Sequence, residues 1–380
     1  MPLNEQGSDS PQEAALQAQA EAQAEAAGGP VNPKALRADD PDVVDRIDEL
    51  IELVGGQPGT FNTRLVRELL QTGLKLIPDG RHTGELKLIT NSVKEMRYAY
   101  RVFGKFKDPH KVTIFGSART PVDHPDYIAC VEFSRLMAEA GWMSITGAGL
   151  GIMQAGHVGP GRKSSFGVAI RLPFETTANE VIAGDEKLIQ FRYFFTRKLM
   201  FLSQAEAVAL FPGGFGTLDE AYETLTLVQT GKSSPVPIAL VEGDGGDYWL
   251  SWDQWVKKQL LERGWISAED PSIYHLAKTP REAAEHIVHF YRNYHSSRYV
   301  RDDFVVRLNR PLRDADVERL SDEFRIIIKD GGKIRQTDAA IEGEDDNTHL
   351  PRLVFRHTRS KFGLIRRLID RINDFDAAES

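Results

Sequence analysis

The chain has 380 residues, of which 41% are hydrophobic and 27% charged, a composition typical of folded globular proteins. This composition excludes collagen, wholesale disorder and a disulfide scaffold, and the length favours more than one domain. A formal net charge of −8 excludes a bulk positive field, so no nucleic-acid partner is expected. The single cysteine, Cys130, lies in an apolar helical pattern and is expected to be a buried, reduced thiol.

The sequence has no run of about 18 consecutive apolar residues of the kind that crosses a bilayer. Its first ten residues, MPLNEQGSDS, lack the basic and then apolar order of a signal peptide. We therefore expect no membrane partner and a cytoplasmic location.

Residues 1–40 are polar and include a run of Ala, Gln and Glu, which offers no apolar face to bury. This segment is predicted to be a disordered tail. From Asp42 apolar residues recur at helical spacing until Gly55, and two more amphipathic helices are predicted at about 62–77 and 84–104. Residues 41–104 are therefore predicted to form a helical preface.

Strand and helix patterns alternate from Lys111 onward. The predicted strands are KVTIFGS, WMSIT, FGVAIRL (166–172), AVALFPG (207–213) and VPIALVE (236–242). Their continuous apolar runs are typical of parallel strands that helices cover on both faces. We predict an α/β domain over 105–297, with a Rossmann-like doubly wound parallel sheet.

Residues 298–380 follow a different pattern. The segments FVVRLNR and FRIIIKD are predicted strands that enclose a helix, and a strand LPRLVFR and a final helix follow the acidic loop EGEDDN. This order predicts a small α+β appendage of unknown role. The acidic loop is expected to project into solvent.

Three glycine-containing loops follow predicted strands at their carboxyl ends, where open α/β sheets bind ligands. They are loop 1 (116–119), loop 2 (147–151) and loop 3 (212–217). Glycines at a junction of strand and helix let backbone N–H groups approach an anion, and the helix N-terminus adds partial positive charge. We predict that the loops converge to hold a phosphate; the alternative is that the glycines only form tight turns. The candidate binding residues are Ser117, Gly147, Gly149, Gly151, Gly213, Gly214, Gly216 and Thr217.

Neither standard nucleotide fingerprint is complete. The segment GAGLG is followed by Ile152, where the dinucleotide motif needs a glycine. The segment GKS (231–233) is preceded by Thr226, at the position where a P-loop needs a glycine. His286 and His289 are three residues apart, but without a clear partner they are expected to be polar-face residues, and no metal site is predicted.

Charged residues accompany loop 3. Glu220 lies one turn into the helix that loop 3 opens, and Arg197 and Lys198 are adjacent cations among apolar residues. Glu220 has an alternative interpretation as the capping-box partner of Thr217, since TLDE fits that motif. For Arg197 the alternative is a structural salt bridge.

The segments PGGFGTLDE (212–220) and TRKLMF (196–201) resemble the PGGxGTxxE and RKxxM signatures of the Lonely Guy (LOG) family. These proteins are cytokinin riboside 5′-monophosphate phosphoribohydrolases that were formerly called lysine decarboxylases. GAGLGIMQAGHVG (147–159) is similar to the family segment GGGxxGLMG, with Ala148 where glycine is usual. The resemblance covers about half of the chain and points to the longer bacterial members.

The resemblance implies hydrolysis of the N-glycosidic bond of a nucleoside 5′-monophosphate, with Arg197 and Glu220 as catalytic residues. It assigns phosphate binding to loop 3, and Lys198 is a further candidate ligand. It implies no metal or other cofactor and a homodimer or higher oligomer. The alternative function is a non-catalytic nucleotide or cofactor carrier on the same scaffold. Decarboxylation with pyridoxal phosphate is disfavoured, because no lysine has a recognisable Schiff-base context.

Overall fold

The computed structural model of the chain describes residues 35–171, 178–344 and 346–375. They fall into two compact units, divided between Lys94 and Glu95. Most of the predicted tail, residues 1–34, lies outside the described residues, as does the stretch 172–177. No helix of the described ranges is both long and apolar enough to cross a membrane.

The first unit contains the predicted helices. Helix α1 is Pro41–Leu53, α2 is Phe61–Lys75, and α3, Thr83–Phe103, continues into the second unit. Thr60 caps α2 by accepting a hydrogen bond from the backbone N–H of Thr63 at 3.3 Å. Arg67 on α2 pairs with Asp48 on α1 at 2.6 Å. The three helices of the preface are thus confirmed, each within two residues of its predicted limits.

The second unit contains a seven-stranded parallel sheet in the order β4-β3-β2-β1-β5-β6-β7. Its strands are β1 (Lys111–Phe115), β2 (Met143–Thr146), β3 (Ser165–Ile170), β4 (Leu188–Phe191), β5 (Ala207–Leu210), β6 (Ile238–Leu240) and β7 (Tyr274–Leu276). The helices that connect or follow these strands are α4 (Pro125–Glu139), α5 (Ile152–Val158), α6 (Phe194–Ser203), α7 (Phe215–Gln229), α8 (Tyr248–Val256) and α9 (Pro280–Phe290). The predicted doubly wound α/β fold is confirmed. The two outer strands, β4 and β7, were not predicted, because a polar residue, Gln190 or His275, interrupts the apolar run of each.

The strand order places the topological switch point between β1 and β5. The chain runs outward from β1 to β4, then returns to pair β5 with β1, with Val112 opposite Ala207. Apolar side chains pack on both faces of the sheet, as a helix-covered parallel sheet requires. Cys130 is fully buried in one of these layers, as predicted.

A four-stranded antiparallel sheet in the order β10-β11-β9-β8 follows the parallel sheet in the chain. Its elements are β8 (Tyr294–Val300), β9 (Asp303–Leu308), α10 (Asp314–Glu323), β10 (Arg335–Thr337), β11 (Arg352–Phe355) and α11 (Phe362–Asp374). The strand predicted at FRIIIKD is wrong. Arg325–Ile327 is a 3₁₀ turn in which Ile327 is fully buried, and Ile328 makes an isolated antiparallel bridge to His357, so the segment packs into the core without forming a strand. The predicted limits of 105–297 and 298–380 stay predictions.

The acidic loop does not project wholly into solvent. The Glu344 side chain is fully buried and pairs with two buried guanidinium groups, those of Arg307 at 2.9 Å and Arg352 at 3.3 Å. A buried arginine needs such a partner, because an unpaired charge in the interior is costly. Glu344 of this loop therefore contributes its side chain to the interior beside the small sheet.

We expect Glu344→Gln to destabilise the protein by about 3 kcal/mol, because it leaves two buried guanidinium groups without their shared carboxylate. The matched control is Glu342→Gln, since Glu342 pairs with Arg301 on the surface with 84% of its side chain exposed. That change should cost less than about 1 kcal/mol. Urea unfolding measures both values, and equal values for the two variants would contradict this account of the loop.

Candidate functional site

The three glycine-containing loops converge at the switch point, as predicted. The backbone N–H of Ser117 in loop 1 donates to the carbonyl of Pro212 in loop 3 at 3.1 Å. The carbonyl of Ser117 accepts from the N–H of Ile152, just after loop 2, at 3.0 Å. A Cβ at Gly213 would lie 2.9 Å from the Ser117 nitrogen, and one at Gly151 would collide with the Ser117 carbonyl. These two glycines are therefore required because the loop backbones touch.

Loop 3 leads into α7 and leaves the start of this helix open. The N-cap residue is Gly214, which provides no side-chain cap, and the next residue, Phe215, is 94% exposed. A Cβ at Gly214 or Gly216 would meet nothing within 4 Å. The N-terminus of a fifteen-residue helix thus faces open space, which is the geometry of an anion site.

The capping-box interpretation of Glu220 is wrong. Because Gly214 is the N-cap, Thr217 is the third residue of α7 and is 6% exposed. A Cβ at Gly213 would collide with its hydroxyl oxygen, so Thr217 packs against loop 3. Tyr248, which no sequence motif identifies, also holds loop 3, because its hydroxyl donates to the carbonyl of Gly213 at 2.7 Å.

Arg197 lies on α6 and points its side chain at loop 2. Its Nε donates to the carbonyl of Val168 at 2.8 Å, and its guanidinium lies 5.0 Å from the ring centre of Phe201. A Cβ at Gly147 would lie 2.5 Å from its Nη2. Burial lowers the pKa of Arg197 to about 10, although the nearby charge of Glu220 raises it. Since this value is still well above 7, the guanidinium stays charged at neutral pH. Within the described ranges no carboxylate forms an ion pair with Arg197, which argues against the structural salt bridge.

Glu220 is unusual in this site because its charged side chain is largely buried. Its side chain is 13% exposed, and its Oε2 is buried without a hydrogen-bond partner in the described chain. Burial raises its pKa to about 7; the charges of Lys198 and Arg197 oppose this shift, and that of Glu223 adds to it. A buried carboxyl without a hydrogen bond is destabilising for a fold, so it needs another explanation.

Lys198 follows Arg197 in the sequence, but its side chain contacts the carboxylates of α7. Its Nζ lies 2.6 Å from Asp219, 2.7 Å from Glu223 and 3.8 Å from the Oε2 of Glu220. The ammonium group is thus already balanced by acidic residues of α7. Its predicted role as a phosphate ligand stays a prediction, and these contacts do not favour it.

Two buried polar residues behind loop 2 were missed by the sequence analysis. His157 is fully buried on α5, and Asn179, which is 3% exposed, donates from Nδ2 to the carbonyls of Ala148 and Gly149 at 3.1 and 3.0 Å. Asn179 also lies 3.1 Å from the Nδ1 of His157. No local motif marks these residues, because their contacts join segments more than twenty residues apart.

Comparison with known families gives a match over part of the chain. Residues 148–287 match the sequence model of a family described as possible lysine decarboxylase. The match includes Arg197, loop 3 and Glu220. No curated protein matches the chain in sequence.

Several solved structures resemble about half of the chain. The structural-genomics protein TM1055 is 23% identical, with a TM-score of 0.34, over 46% of this chain and 96% of its own. The molybdenum cofactor carrier protein of Chlamydomonas reinhardtii is 16% identical, with a TM-score of 0.33, over 46% and 94%. The molybdenum cofactor binding protein of Rippkaea orientalis is 20% identical, with a TM-score of 0.33, over 47% and 95%.

At these identities and scores the structural likenesses carry no argument about function. The family match does bear on identity, because it covers the two segments that resemble the Lonely Guy signatures. Residues 148–287 are thus similar to the family described as possible lysine decarboxylase, and this range contains both segments that resemble the Lonely Guy signatures.

Proposed function

We propose that the protein hydrolyses the N-glycosidic bond of a nucleoside 5′-monophosphate, giving the free base and ribose 5-phosphate. The observation that carries this proposal is the buried Oε2 of Glu220, which has no hydrogen-bond partner among the described residues and lies on the helix whose open N-terminus follows loop 3. Glu220 follows Gly216 by four residues, or roughly 6 Å along the helix axis. This spacing suits a ribose held between a phosphate at loop 3 and the carboxyl group.

The chemistry needs a negative group near the ribose. Cleavage passes through an oxocarbenium-like state, in which positive charge develops on the ribose ring. The carboxylate of Glu220 would stabilise that charge and accept a proton from the water that attacks C1′. The C1′–N bond breaks as this charge develops, its electron pair goes to the base, and the base takes up a proton in place of the one that the water gives to Glu220. A pKa near 7 suits a group that accepts and returns a proton near neutral pH.

Arg197 would supply the opposite charge. It stays protonated at neutral pH and contributes guanidinium donors at loop 2. Such a group holds a phosphate bidentately or stabilises negative charge on the departing base, and both roles remain open.

A non-catalytic nucleotide or cofactor carrier is the alternative function. A carrier needs the loops and the helix N-terminus, but it gains nothing from a buried carboxyl without a hydrogen bond. Glu220 therefore favours the hydrolase.

We also propose a cytoplasmic homodimer or higher oligomer without a nucleic-acid partner. Helix α6, which carries Arg197, exposes apolar side chains that a second copy would cover: Phe194 is 61% exposed, Phe195 54% and Leu199 47%. The location and the lack of a nucleic-acid partner rest on the composition alone.

The hydrolase proposal predicts that purified protein releases free base from at least one of AMP, CMP, GMP, UMP and N6-isopentenyl AMP. Glu220→Gln keeps the side-chain shape but removes the charge, so turnover should fall by about 10²-fold or more. Chromatography of the free base measures both rates.

The matched control is Asp219→Asn, one residue away, where the side chain is 68% exposed. It should keep turnover within about fivefold, since exposed ion pairs contribute little. Nucleotide binding without any base release would favour the carrier, and a Glu220→Gln protein with parental turnover would exclude the mechanism.

Substitutions at the neighbouring glycines Gly213 and Gly214 of loop 3 should differ in their effect on thermal stability. A Cβ at Gly214 meets nothing within 4 Å and the residue has an ordinary negative φ of −85°, so Gly214→Val should keep the fold while its side chain blocks the anion. Gly213→Ala collides with Thr217 and approaches Ser117, so it should lower thermal stability as well. Calorimetry with AMP and thermal unfolding test the pair. Unchanged AMP affinity in Gly214→Val would place the phosphate elsewhere.

A further inference from the structure

Loop 2 has a strained backbone at a residue that is not glycine. Ala148 has a φ of +64°, in the left-handed region that L-residues avoid, and it is 1% exposed. Gly151 has a φ of +61°, which costs a glycine little. Because Ala148 does not favour this conformation by itself, other groups must hold it there.

Asn179 makes the contacts that hold this conformation. Its backbone N–H donates to the carbonyl of Ala148 at 2.8 Å, and its Nδ2 donates to the carbonyls of Ala148 and Gly149. On the other side, the N–H of Ala148 donates to the hydroxyl oxygen of Thr146 at 3.1 Å. The strained peptide is therefore fixed at both its N–H and its carbonyl.

His157 fixes the orientation of Asn179. Its Nε2 lies 2.9 Å from the carbonyl of Phe166, which can only accept, so this nitrogen carries the proton. Its Nδ1 is then an acceptor, and the Nδ2 of Asn179, 3.1 Å away, shares its two protons among this nitrogen and the carbonyls of Ala148 and Gly149. Burial lowers the pKa of His157, which keeps the ring neutral and preserves this acceptor.

The same loop forms one wall of the Arg197 site. The Nη2 of Arg197 lies so close to Gly147 that a Cβ there would be 2.5 Å away. The Nε of Arg197 donates to Val168, two residues along β3 from the Phe166 carbonyl that His157 uses. A change in the loop 2 backbone would therefore move the surface on which the guanidinium rests.

We infer that Asn179 and His157 are positioning residues, which hold the left-handed Ala148 peptide and thereby fix loop 2 against Arg197. This inference rests on the proposed function in one respect, that Arg197 acts on the nucleotide. In the proposed function loop 3 binds the phosphate, so in the role in which Arg197 acts on the departing base, loss of the clamp should affect turnover more than nucleotide binding.

The test compares Asn179→Ala with the double variant Asn179→Ala plus Ala148→Gly. Asn179→Ala should lower kcat at least about tenfold while KM changes less than about threefold, because the reacting geometry is lost but the phosphate site remains. Glycine adopts positive φ without strain, so the double variant should recover at least about fivefold in kcat. Asn309→Ala, at an exposed position, should match the parent.

A second readout does not depend on activity. Phenylglyoxal modifies accessible arginines, and peptide mass mapping gives the rate at Arg197. Asn179→Ala should raise that rate at least about threefold, and Ala148→Gly should reduce the increase, since it restores the wall of the site. If Asn179→Ala does not fold, Asn179→Asp has the same shape without the donors and should show the same changes.

The two proposals fail in different ways. If the parent releases no base from any nucleotide, the hydrolase proposal fails, and the reactivity of Arg197 still decides the positioning role. Unchanged kcat and unchanged Arg197 reactivity in both Asn179 variants would overturn the inference. A loss that Ala148→Gly does not reduce would overturn it as well, because it would indicate general destabilisation.

Discussion

The site depends on close backbone contact between three loops at the carboxyl ends of β1, β2 and β5. Ser117 is hydrogen-bonded to loop 3 through its N–H and to the start of α5 through its carbonyl, and no Cβ fits at Gly213 or Gly151. This contact fixes the start of α7 relative to loop 2. It therefore sets the positions of both Glu220, which α7 carries, and Arg197, which rests on loop 2.

The burial of Glu220 follows from this arrangement. A carboxyl one turn inside a helix that starts in open space is ordinarily solvated, but here the side chain is only 13% exposed and the Nζ of Lys198 lies 3.8 Å from its Oε2. Burial disfavours the charged form, while Lys198 and Arg197 favour it, and the balance places the pKa near 7. The fold thus keeps one carboxyl near its titration point beside a permanently charged guanidinium.

The sequence was sufficient to predict features that depend on local residue patterns and on the geometry of a parallel sheet. Parallel strands end at one edge, so loops 1, 2 and 3 had to meet, and the apolar runs of β1, β2 and β5 identified that edge. The sequence could not reveal contacts made across the chain. FRIIIKD has the apolar content of a strand but forms a 3₁₀ turn followed by an isolated bridge, and TLDE fits the capping-box pattern although the helix begins earlier. The clamp of His157 and Asn179 has no local signal at all, because tertiary packing alone brings the two residues together.

The pH dependence of kcat/KM for base release tests the central claim most directly. If Glu220 acts as a carboxylate, kcat/KM should rise with pH and level off above a break near 7, the pKa that burial gives this group. A nucleotide phosphate has its own second ionisation near pH about 6, so the comparison with Glu220→Gln is essential. The account predicts that this variant loses the break near 7 and keeps only the one from the substrate. The same break near 7 in both proteins would contradict it.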